Sequence, residues 1–356
     1  MMRQMNRTHI TLFILLFSLF VCGCNNEKGN GLALYPIEIN GEWGYMNASG
    51  KIVISPHWIE AGLYVEGLAC VRDGDKYGYI DIDGEYAINP QFDFASEFHE
   101  GLACVEIGGK SGYIDKTGKY IINPQFEEAS FFSDGLACVG IDGKYGFIDK
   151  KGRLVIEPQF ELPSWFINGR AVAVLGEDDN LKGGYINKNG EIIINPQFDW
   201  AGDFSEGLAC VGLADGVFGY INKKGEYIIN PQFEYASWFS EGLASVSIGD
   251  KYGYINKKGE IVINPQYEGA SDFHEGLAAV KIGGKWGFID KKGQIAIEPK
   301  YNFQPSEFRN SLAKVVFRKD ICTESFGINY YEVTWGYIDK SGKMVYKNMK
   351  EREYIR

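Results

Sequence analysis

The chain has 356 residues, of which 45% are apolar and 15% aromatic, with 45 glycines and a formal net charge of −11. This apolar content is enough to bury a core, and the excess of glycine and aromatic residues favours β structure. The acidic balance argues against nucleic acid as a partner and against electrostatic docking on anionic lipid.

The first segment has the pattern of a signal peptide. Arg3 and Arg7 precede the apolar run TLFILLFSLFV, which is shorter than the roughly 20 residues that span a bilayer. The stretch from Val21 to Cys24 then resembles the lipobox of bacterial lipoproteins, with an aliphatic residue, a small residue and a cysteine in order. The resemblance implies removal of residues 1–23 and a diacylglycerol on Cys24. An ordinary signal peptide cut nearby is the alternative.

These features predict an N-terminal anchor. Residues 24–30 comprise the lipidated cysteine and a short polar tether. A diacyl chain holds a protein on a membrane where one short chain does not. We therefore expect a protein anchored by its N-terminal lipid to the extracytoplasmic face of the cell membrane or of an outer membrane.

Residues 31–349 repeat with a period of about 34 residues. A glycine before an aromatic residue marks each unit, and it occurs at Gly44, Gly78, Gly112, Gly146, Gly184, Gly219, Gly253, Gly287 and Gly336. A second landmark, EGLA or a relative of it, is matched by Gly31 in the first unit and by Ser311 in the last. The pattern predicts one domain of nine units, followed by a C-terminal tail at residues 350–356.

Each unit has the pattern of three short antiparallel strands. In residues 101–124 these are LACVEI, SGYID and KYIINP. Asp115 can accept hydrogen bonds from the amides of the turn after the second strand, and Gly118 can take its left-handed position. Pro124 ends the third strand because proline cannot donate a hydrogen bond to a neighbour. The segment PQFDFASEF could add a short fourth strand.

The glycine of the first landmark is predicted to allow close packing. Gly146 lies between Tyr145 and Phe147, so a neighbouring backbone or ring can approach it. A three-stranded unit cannot bury its own faces, and neighbouring units must therefore stack. We predict an all-β, propeller-like array of antiparallel meanders. An open β superhelix is the alternative, because nine units exceed the usual four to eight blades.

The repeated motif also suggests a family. The segments Trp43-Gly44-Tyr45, Trp286-Gly287-Phe288 and Trp335-Gly336-Tyr337, with INPQF and EGLA between such motifs, resemble the WG repeat of bacterial proteins. The resemblance covers nearly all of the chain after its N-terminal segment. It implies tandem β-repeat modules, common in secreted and anchored bacterial proteins, and it implies no general enzymatic activity.

The repeat also predicts structural roles for several reactive residues. Cys70, Cys104, Cys138 and Cys210 share one register with Leu34 and Ala279, which favours a packed core position. His57, His99 and His274 are not at ligand spacing, and we predict no metal and no other cofactor. The acids before GLA recur in six units, whereas a catalytic constellation is singular. We therefore predict that the protein is not an enzyme.

Function is expected where the repetition fails. The segment 167–184 contains clustered acids at 177–179, and the insertion 317–333 is predicted to lengthen one loop. Two connector positions vary between charged and aromatic residues, which indicates exposure. In the middle units they contain Phe131, Trp165, Trp200, Tyr235 and Trp238.

These five rings could form one aromatic ribbon across stacked units. The alternative is that they pack locally between units. The ribbon predicts a scaffold that binds a protein partner in the envelope, with a cell-wall or other glycan as the second hypothesis. A glycan-active hydrolase, using an acid at 177–179, is a third hypothesis.

Overall fold

The fold is given by a computed structural model that describes residues 33–176, 180–322 and 329–354. The described residues form nine antiparallel sheets and contain no helix, so the all-β prediction is confirmed. Within the same ranges, nothing helical is long and apolar enough to cross a membrane. The predicted signal peptide 1–23, Cys24 with its tether to residue 30, and the acids 177–179 lie outside the described residues.

The first four sheets follow one another along the chain. Their strands are β1 (Leu34–Ile39), β2 (Glu42–Asn47) and β3 (Ile52–Trp58); β4 (Glu60–Val65), β5 (Leu68–Asp73), β6 (Lys76–Ile80) and β7 (Tyr86–Phe92); β8 (Phe94–Ala95), β9 (Leu102–Ile107), β10 (Lys110–Asp115) and β11 (Tyr120–Phe126); β12 (Glu128–Ala129), β13 (Leu136–Ile141), β14 (Lys144–Asp149) and β15 (Leu154–Phe160).

The next five sheets continue in the same order. Their strands are β16 (Ala171–Leu175), β17 (Lys182–Ile186) and β18 (Ile192–Phe198); β19 (Trp200–Ser205), β20 (Leu208–Gly212), β21 (Phe218–Asn222) and β22 (Tyr227–Phe233); β23 (Tyr235–Ala236), β24 (Leu243–Ile248), β25 (Lys251–Asn256) and β26 (Ile261–Tyr267); β27 (Gly269–Ala270), β28 (Leu277–Ile282), β29 (Lys285–Asp290) and β30 (Ile295–Tyr301); β31 (Leu312–Cys322), β32 (Asn329–Asp339) and β33 (Met344–Tyr354).

Six of the nine described sheets have a fourth strand, and three have the three strands predicted for every unit. The extra strand comes from the segment that follows the proline, as PQFDFASEF suggested. In the third sheet, Phe94 pairs with Glu106 and Ala95 with Val105. Ser96 N then donates to Cys104 O at 2.9 Å, so the short strand stays alongside β9 beyond its assigned end.

The turns of each sheet lie at two opposite ends. In the third sheet, a two-residue turn at Glu100 and Gly101, with φ of 52° and 84°, joins the first strand to β9. The turn Asp115–Gly118 joins β10 to β11 at the same end, because neighbouring strands run antiparallel. We call this end of the ring the turn face. The opposite end, with the hairpins between β9 and β10 and their equivalents, is the hairpin face.

The nine sheets close into a ring. The last sheet contacts the first through Tyr337, whose hydroxyl donates to Pro36 O at 3.1 Å, and through Tyr346, whose hydroxyl donates to Glu38 O at 3.2 Å. Trp43 and Trp335 stack with their ring centroids 6.4 Å apart. The protein is thus a nine-bladed β-propeller; the propeller-like prediction is confirmed, and the open superhelix is wrong.

Side-chain exposure identifies the outer strand of each blade. Along β11, Ile121 is exposed while Ile122 is buried. This alternation is expected where sheets diverge away from the axis of a ring. The strand at the other edge, β8, therefore lies innermost, and each blade runs outward in chain order.

The core lies between neighbouring sheets and repeats around the ring. Tyr113 of the third sheet is fully buried against Phe132 of the fourth, with ring centroids 4.7 Å apart. Its hydroxyl donates to Ser130 O at 2.7 Å, so the polar end of this ring is paired as well. A buried tyrosine and a phenylalanine from the next unit make the same contact in several other seams, as in Tyr220 with Phe239.

The repeated glycine lies under a crossing backbone. A Cβ on Gly146 would lie 2.6 Å from Ile156 O and 2.8 Å from Pro158 N. The pairing of β14 with β15 shifts register at this point, so the outer strand passes directly over the glycine. The predicted close approach is confirmed, and the neighbour is backbone.

The four cysteines shared by the repeat are buried and unoxidised. The Cys70 thiol lies 3.4 Å from Ala95 O in the next sheet. Burial raises the pKa of Cys104 to about 12, with Ser111 acting in the opposite direction. A thiol with this pKa stays protonated and unreactive at neutral pH. The predicted core position is confirmed.

The register of the first unit differs from the prediction. Leu34 pairs with Asn47 as Leu102 pairs with Asp115, so Leu34 is equivalent to Leu102. Pro36, and not Leu34, therefore holds the position of the cysteines. Ala33, and not Gly31, corresponds to the glycine of EGLA. The hairpin turn at Asn40 and Gly41, with φ of 54° and 89°, sets the register.

The last sheet is longer than the others. Arg318 to Cys322 pair with Val333 to Asn329, so most of the insertion predicted to lengthen a loop extends the hairpin of β31 and β32. Lys350 pairs with Val333, and residues 350–354 continue β33 where a C-terminal tail was predicted. Both differences arise from backbone hydrogen bonding between strands, which the side-chain pattern of these segments did not predict.

Candidate functional site

The two variable connector positions form two rows in the segments that link the outer strand of one blade to the next blade. We call the first of them the rim row. It contains Glu60, Phe94, Glu128, Leu162, Trp200, Tyr235, Gly269 and Gln304. We call the second the inner row, three residues later in each unit. It contains Leu63, Glu97, Phe131, Trp165, Asp203, Trp238, Asp272 and Glu307. The predicted ribbon is therefore divided: Trp200 and Tyr235 belong to the rim row, and Phe131, Trp165 and Trp238 to the inner row.

Trp200 and Tyr235 of the rim row pack on the aromatic residue that precedes the repeated glycine in their own unit, whereas Phe94 packs on Tyr77 of the preceding unit. Trp200 meets Phe218 with ring centroids 6.0 Å apart, and Tyr235 meets Tyr252 at 5.6 Å. Trp200 and Tyr235 still expose 44% and 42% of their surface. Each ring thus packs locally through one part of its surface and presents the rest to solvent near the hairpin face.

Apart from the exposed Leu63, the inner row is half-buried, and three of its consecutive members, Phe131, Trp165 and Asp203, contact one another. Phe131 and Trp165 lie with their ring centroids 6.3 Å apart. The Trp165 indole Nε1 donates to Asp203 Oδ2 of the next unit at 3.0 Å. Trp238 lies in the unit between those of Asp203 and Asp272, and it is also half-buried. For Phe131 and Trp165, the contacts are those of local packing between units.

Two carboxyl groups of the inner row, those of Asp203 and Asp272, have raised pKa values because they are shielded from solvent. Burial raises the pKa of Asp203 to about 7, although the hydrogen bond from Trp165 acts against it. Burial likewise raises the pKa of Asp272 to about 6, and its Oδ1 has no hydrogen-bond partner among the described residues. Asp203 and Asp272 therefore gain or lose a proton near neutral pH, where most carboxyl groups are fully ionised.

A cation neighbours the next member of the row. His274 Nε2 lies 3.0 Å from Glu307 Oε1, and Arg309 Nη2 lies 3.7 Å from Glu307 Oε2. Burial lowers the pKa of His274, but the Glu307 carboxylate outweighs it and the net pKa is raised. Asp203 and Asp272 were not singled out from the sequence. The signal was there, because the same position alternates between rings and acids.

The recurring acids before GLA have a structural role in the described contacts. Glu241 accepts a hydrogen bond from Gly276 N of the next unit at 3.0 Å and pairs with Lys291 at 2.9 Å. Burial tends to raise the pKa of Glu241, but Lys291 and the Gly276 amide lower it overall. Equivalent ion pairs tie consecutive blades together on the turn face, namely Glu66–Lys116, Glu100–Lys150, Glu206–Lys257 and Glu275–Lys340.

The fold and its repeated seams define a propeller built from one sequence unit. The WG containing repeat matches residues 43–77, 77–110, 112–145, 145–177, 184–214, 218–252, 252–286, 286–318 and 335–347. The chain belongs to the family of WG-repeat proteins. Comparison with curated proteins gives no match.

Several solved structures are similar over much of the chain. The extracellular domain of BT4673 from B. thetaiotaomicron is 11% identical with a TM-score of 0.37, over 92% of this chain and 58% of that one. Apo AztD from Citrobacter koseri is 13% identical with a TM-score of 0.36, over 80% and 94%. The WD40 β-propeller domain of Doa1 is 11% identical with a TM-score of 0.31, over 67% and 88%.

Proposed function

We propose that this propeller is a scaffold that binds a protein partner through its hairpin face. The observation that carries the proposal is the exposure of Trp200 and Tyr235, which belong to adjacent blades. Each is held in place by a second ring and so offers a large, ordered amphipathic surface. Aromatic residues of this kind are enriched at the centres of protein interfaces.

The surroundings of these rings favour a partner with basic groups. Glu128 belongs to the same row, where its carboxylate accepts a hydrogen bond from Tyr145 at 2.7 Å. Asp199 and Glu234 precede Trp200 and Tyr235 directly. A glycan is the second candidate, because the free face of a held indole such as Trp200 can stack on a sugar ring. The hydrolase hypothesis depends on the acids at 177–179, which lie outside the described residues.

Loss of the two exposed rings should abolish capture of the partner. With the full-length protein in detergent, we expect Trp200→Ala combined with Tyr235→Ala to reduce recovery of a specific envelope protein at least ten-fold. Tyr227→Ala combined with Ile228→Ala is the matched control, because these outer-strand side chains are similarly exposed. The measurement is quantitative mass spectrometry of captured proteins. Equal losses in both variants would contradict the rim row as the binding surface.

The same material separates the two kinds of partner. Sedimentation with purified cell-wall glycan would detect the second candidate. If the Trp200 and Tyr235 double variant lost binding to the glycan, and protein capture did not depend on these rings, the partner would be a glycan and not a protein.

We also propose that Cys24 bears a diacylglycerol that holds the propeller at the extracytoplasmic face of a membrane. The support is the lipobox-like segment from Val21 to Cys24 after a short apolar run. Cells fed an alkyne-labelled fatty acid should label the wild type and Cys22→Ala equally, and label Cys24→Ala at background. Equal label on Cys24→Ala would refute the assignment. Cys22 is the control because it lies two residues away.

A further inference from the structure

The two ends of the blades differ in charge. The hairpin face has an excess of acids in its hairpins and connectors, where Lys76, Lys110, Lys144, Lys182, Lys251 and Lys285 are outnumbered by Asp73, Asp75, Asp93, Glu127, Asp142, Glu161, Asp199, Asp215, Glu234, Asp250 and Glu268. The turn face has lysines in seven of the nine described turns before an outer strand, at Lys116, Lys150, Lys151, Lys188, Lys223, Lys224, Lys257, Lys258, Lys291, Lys292 and Lys340, and the same face also has acids in and beside these turns. The two faces are a strand length apart, about 20 Å for six residues. At physiological salt, charges separated by more than about 8 Å are largely screened, so each face acts by itself.

Many acids of the turn face are already engaged with protein groups. Glu206 and Glu241 pair with the first lysine of a turn, Lys257 and Lys291. Glu260 accepts a hydrogen bond from the side chain of Asn256 at 2.7 Å. The second lysine of the turn is exposed, and no ion pair joins it to another described residue. Four units present such a lysine: Lys151, Lys224, Lys258 and Lys292.

Exposed branched side chains lie next to these lysines. Each outer strand begins two residues after the last glycine of the turn. In many blades, the first residue of this strand, the second or both expose 41–49% of their surface. They are Ile52, Val53, Ile121, Leu154, Val155, Ile192, Ile228, Ile261, Val262 and Ile295. Lysines beside exposed apolar side chains are the composition that binds at the headgroup boundary of a bilayer.

The chain also enters the fold at this face. Leu34 begins β1 opposite Asn47, which opens the turn before β3, so the N-terminal end of the described propeller is at the turn face. Residues 25–32 separate Ala33 from Cys24. Eight residues span at most about 30 Å when fully extended. A lipid on Cys24 would therefore keep this face, and not the hairpin face, close to the bilayer.

We propose that the turn face lies against the headgroup layer of the membrane, with Lys151, Lys224, Lys258 and Lys292 on lipid phosphates and the outer-strand side chains at the apolar boundary. The proposed lipid on Cys24 raises the local concentration but supplies none of these contacts. The rim row is then directed away from the membrane, towards a partner. The whole-chain charge predicted no docking on anionic lipid, because it sums two faces that the fold separates.

Lysine reactivity in vesicles tests this orientation. Full-length protein is reconstituted into vesicles of phosphatidylcholine alone or with 30% phosphatidylglycerol, and each lysine is acetylated and followed by mass spectrometry. We expect Lys224, Lys258 and Lys292 to react at least five-fold more slowly in the anionic vesicles than in detergent. Lys110, Lys251 and Lys285 of the hairpin face are the matched set and should keep their rates.

Charge reversal sharpens the test. Changing Lys224, Lys258 and Lys292 together to Glu should remove the protection of Lys151, whereas changing Lys110, Lys251 and Lys285 to Glu should leave it. Flotation with the neutral vesicles reports the anchor, and protection in the anionic vesicles reports docking. If the protein floats with the neutral vesicles but its turn-face lysines stay reactive in the anionic vesicles, the docking is wrong and the anchor stands. If it binds the anionic vesicles but does not float with the neutral ones, the anchor is wrong and the docking stands. If it floats with neither kind of vesicle, both are wrong.

Discussion

Replacing Gly253 by alanine should cost about 3 kcal/mol or more of the free energy of unfolding. The added Cβ would lie 2.5 Å from Ile263 O and 2.6 Å from Pro265 N, both of them backbone atoms of the outer strand. Side-chain rotation cannot relieve such a contact, so β26 must move away from β25 or the blade must distort. Urea denaturation followed by circular dichroism measures the change.

Gly140 provides the control for this substitution. Its Cβ would meet the nearest neighbours, in the Glu128 and Tyr145 side chains, at 3.4 Å, which is an ordinary contact. Gly140→Ala should therefore change stability by less than about 1 kcal/mol. If Gly253→Ala proved as mild as Gly140→Ala, the close crossing of the outer strand over the repeated glycine would be wrong.

Asp203→Asn should stabilise the protein at pH 8 and leave it unchanged below pH 4. The folded pKa of Asp203 is raised to about 7, above its unfolded value near 3.9. Between these values the folded state holds more protons than the unfolded state, so stability falls as pH rises and the full penalty is present above pH 7. The penalty that asparagine removes is up to about 4 kcal/mol by that linkage, because the two pKa values differ by about 3 units. The asparagine side chain still offers an oxygen to the indole of Trp165.

Thermal unfolding from pH 4 to pH 8 measures this effect. The wild type should lose stability across the range more steeply than the variant, with Asp272 contributing a smaller decline because its pKa is raised to about 6. Asp215→Asn, at an exposed hairpin position, is the control and should run parallel to the wild type. Parallel curves for Asp203→Asn and the wild type would show that Asp203 is ionised at neutral pH in the folded protein.

Much of the blade follows from local sequence. The turn at Asp115 and Gly118 forms as predicted, with Gly118 N donating to Asp115 O at 2.9 Å. The repeated glycine follows because its close contact is with the outer strand of its own blade, and the buried cysteines follow because the same seam between neighbouring units recurs around the ring. Nine repetitions reinforce a pattern that a single unit would leave ambiguous.

The candidate surface was predicted less completely. The five rings were found because they vary where the rest repeats, but their division into two rows depends on which side chains meet between strands. Trp200 packs on Phe218 of its own unit, whereas Trp165 reaches Asp203 of the next. The buried carboxyls of Asp203 and Asp272 were missed because burial at this position arises from neighbouring units.

By itself, the sequence determined the number of units, their strands and turns, and the positions that pack, because these depend on contacts within a unit and between identical neighbours. Only the tertiary structure decided that the array closes, since closure depends on a small rotation summed over nine blades and on the contacts of Tyr337 and Trp335 with the first sheet. It also decided which end of the propeller each charge reaches. A linear repeat mixes acids and lysines within every 34 or so residues, whereas the antiparallel folding of each blade places an excess of acids at the hairpin face and the lysine pairs of the turns at the turn face.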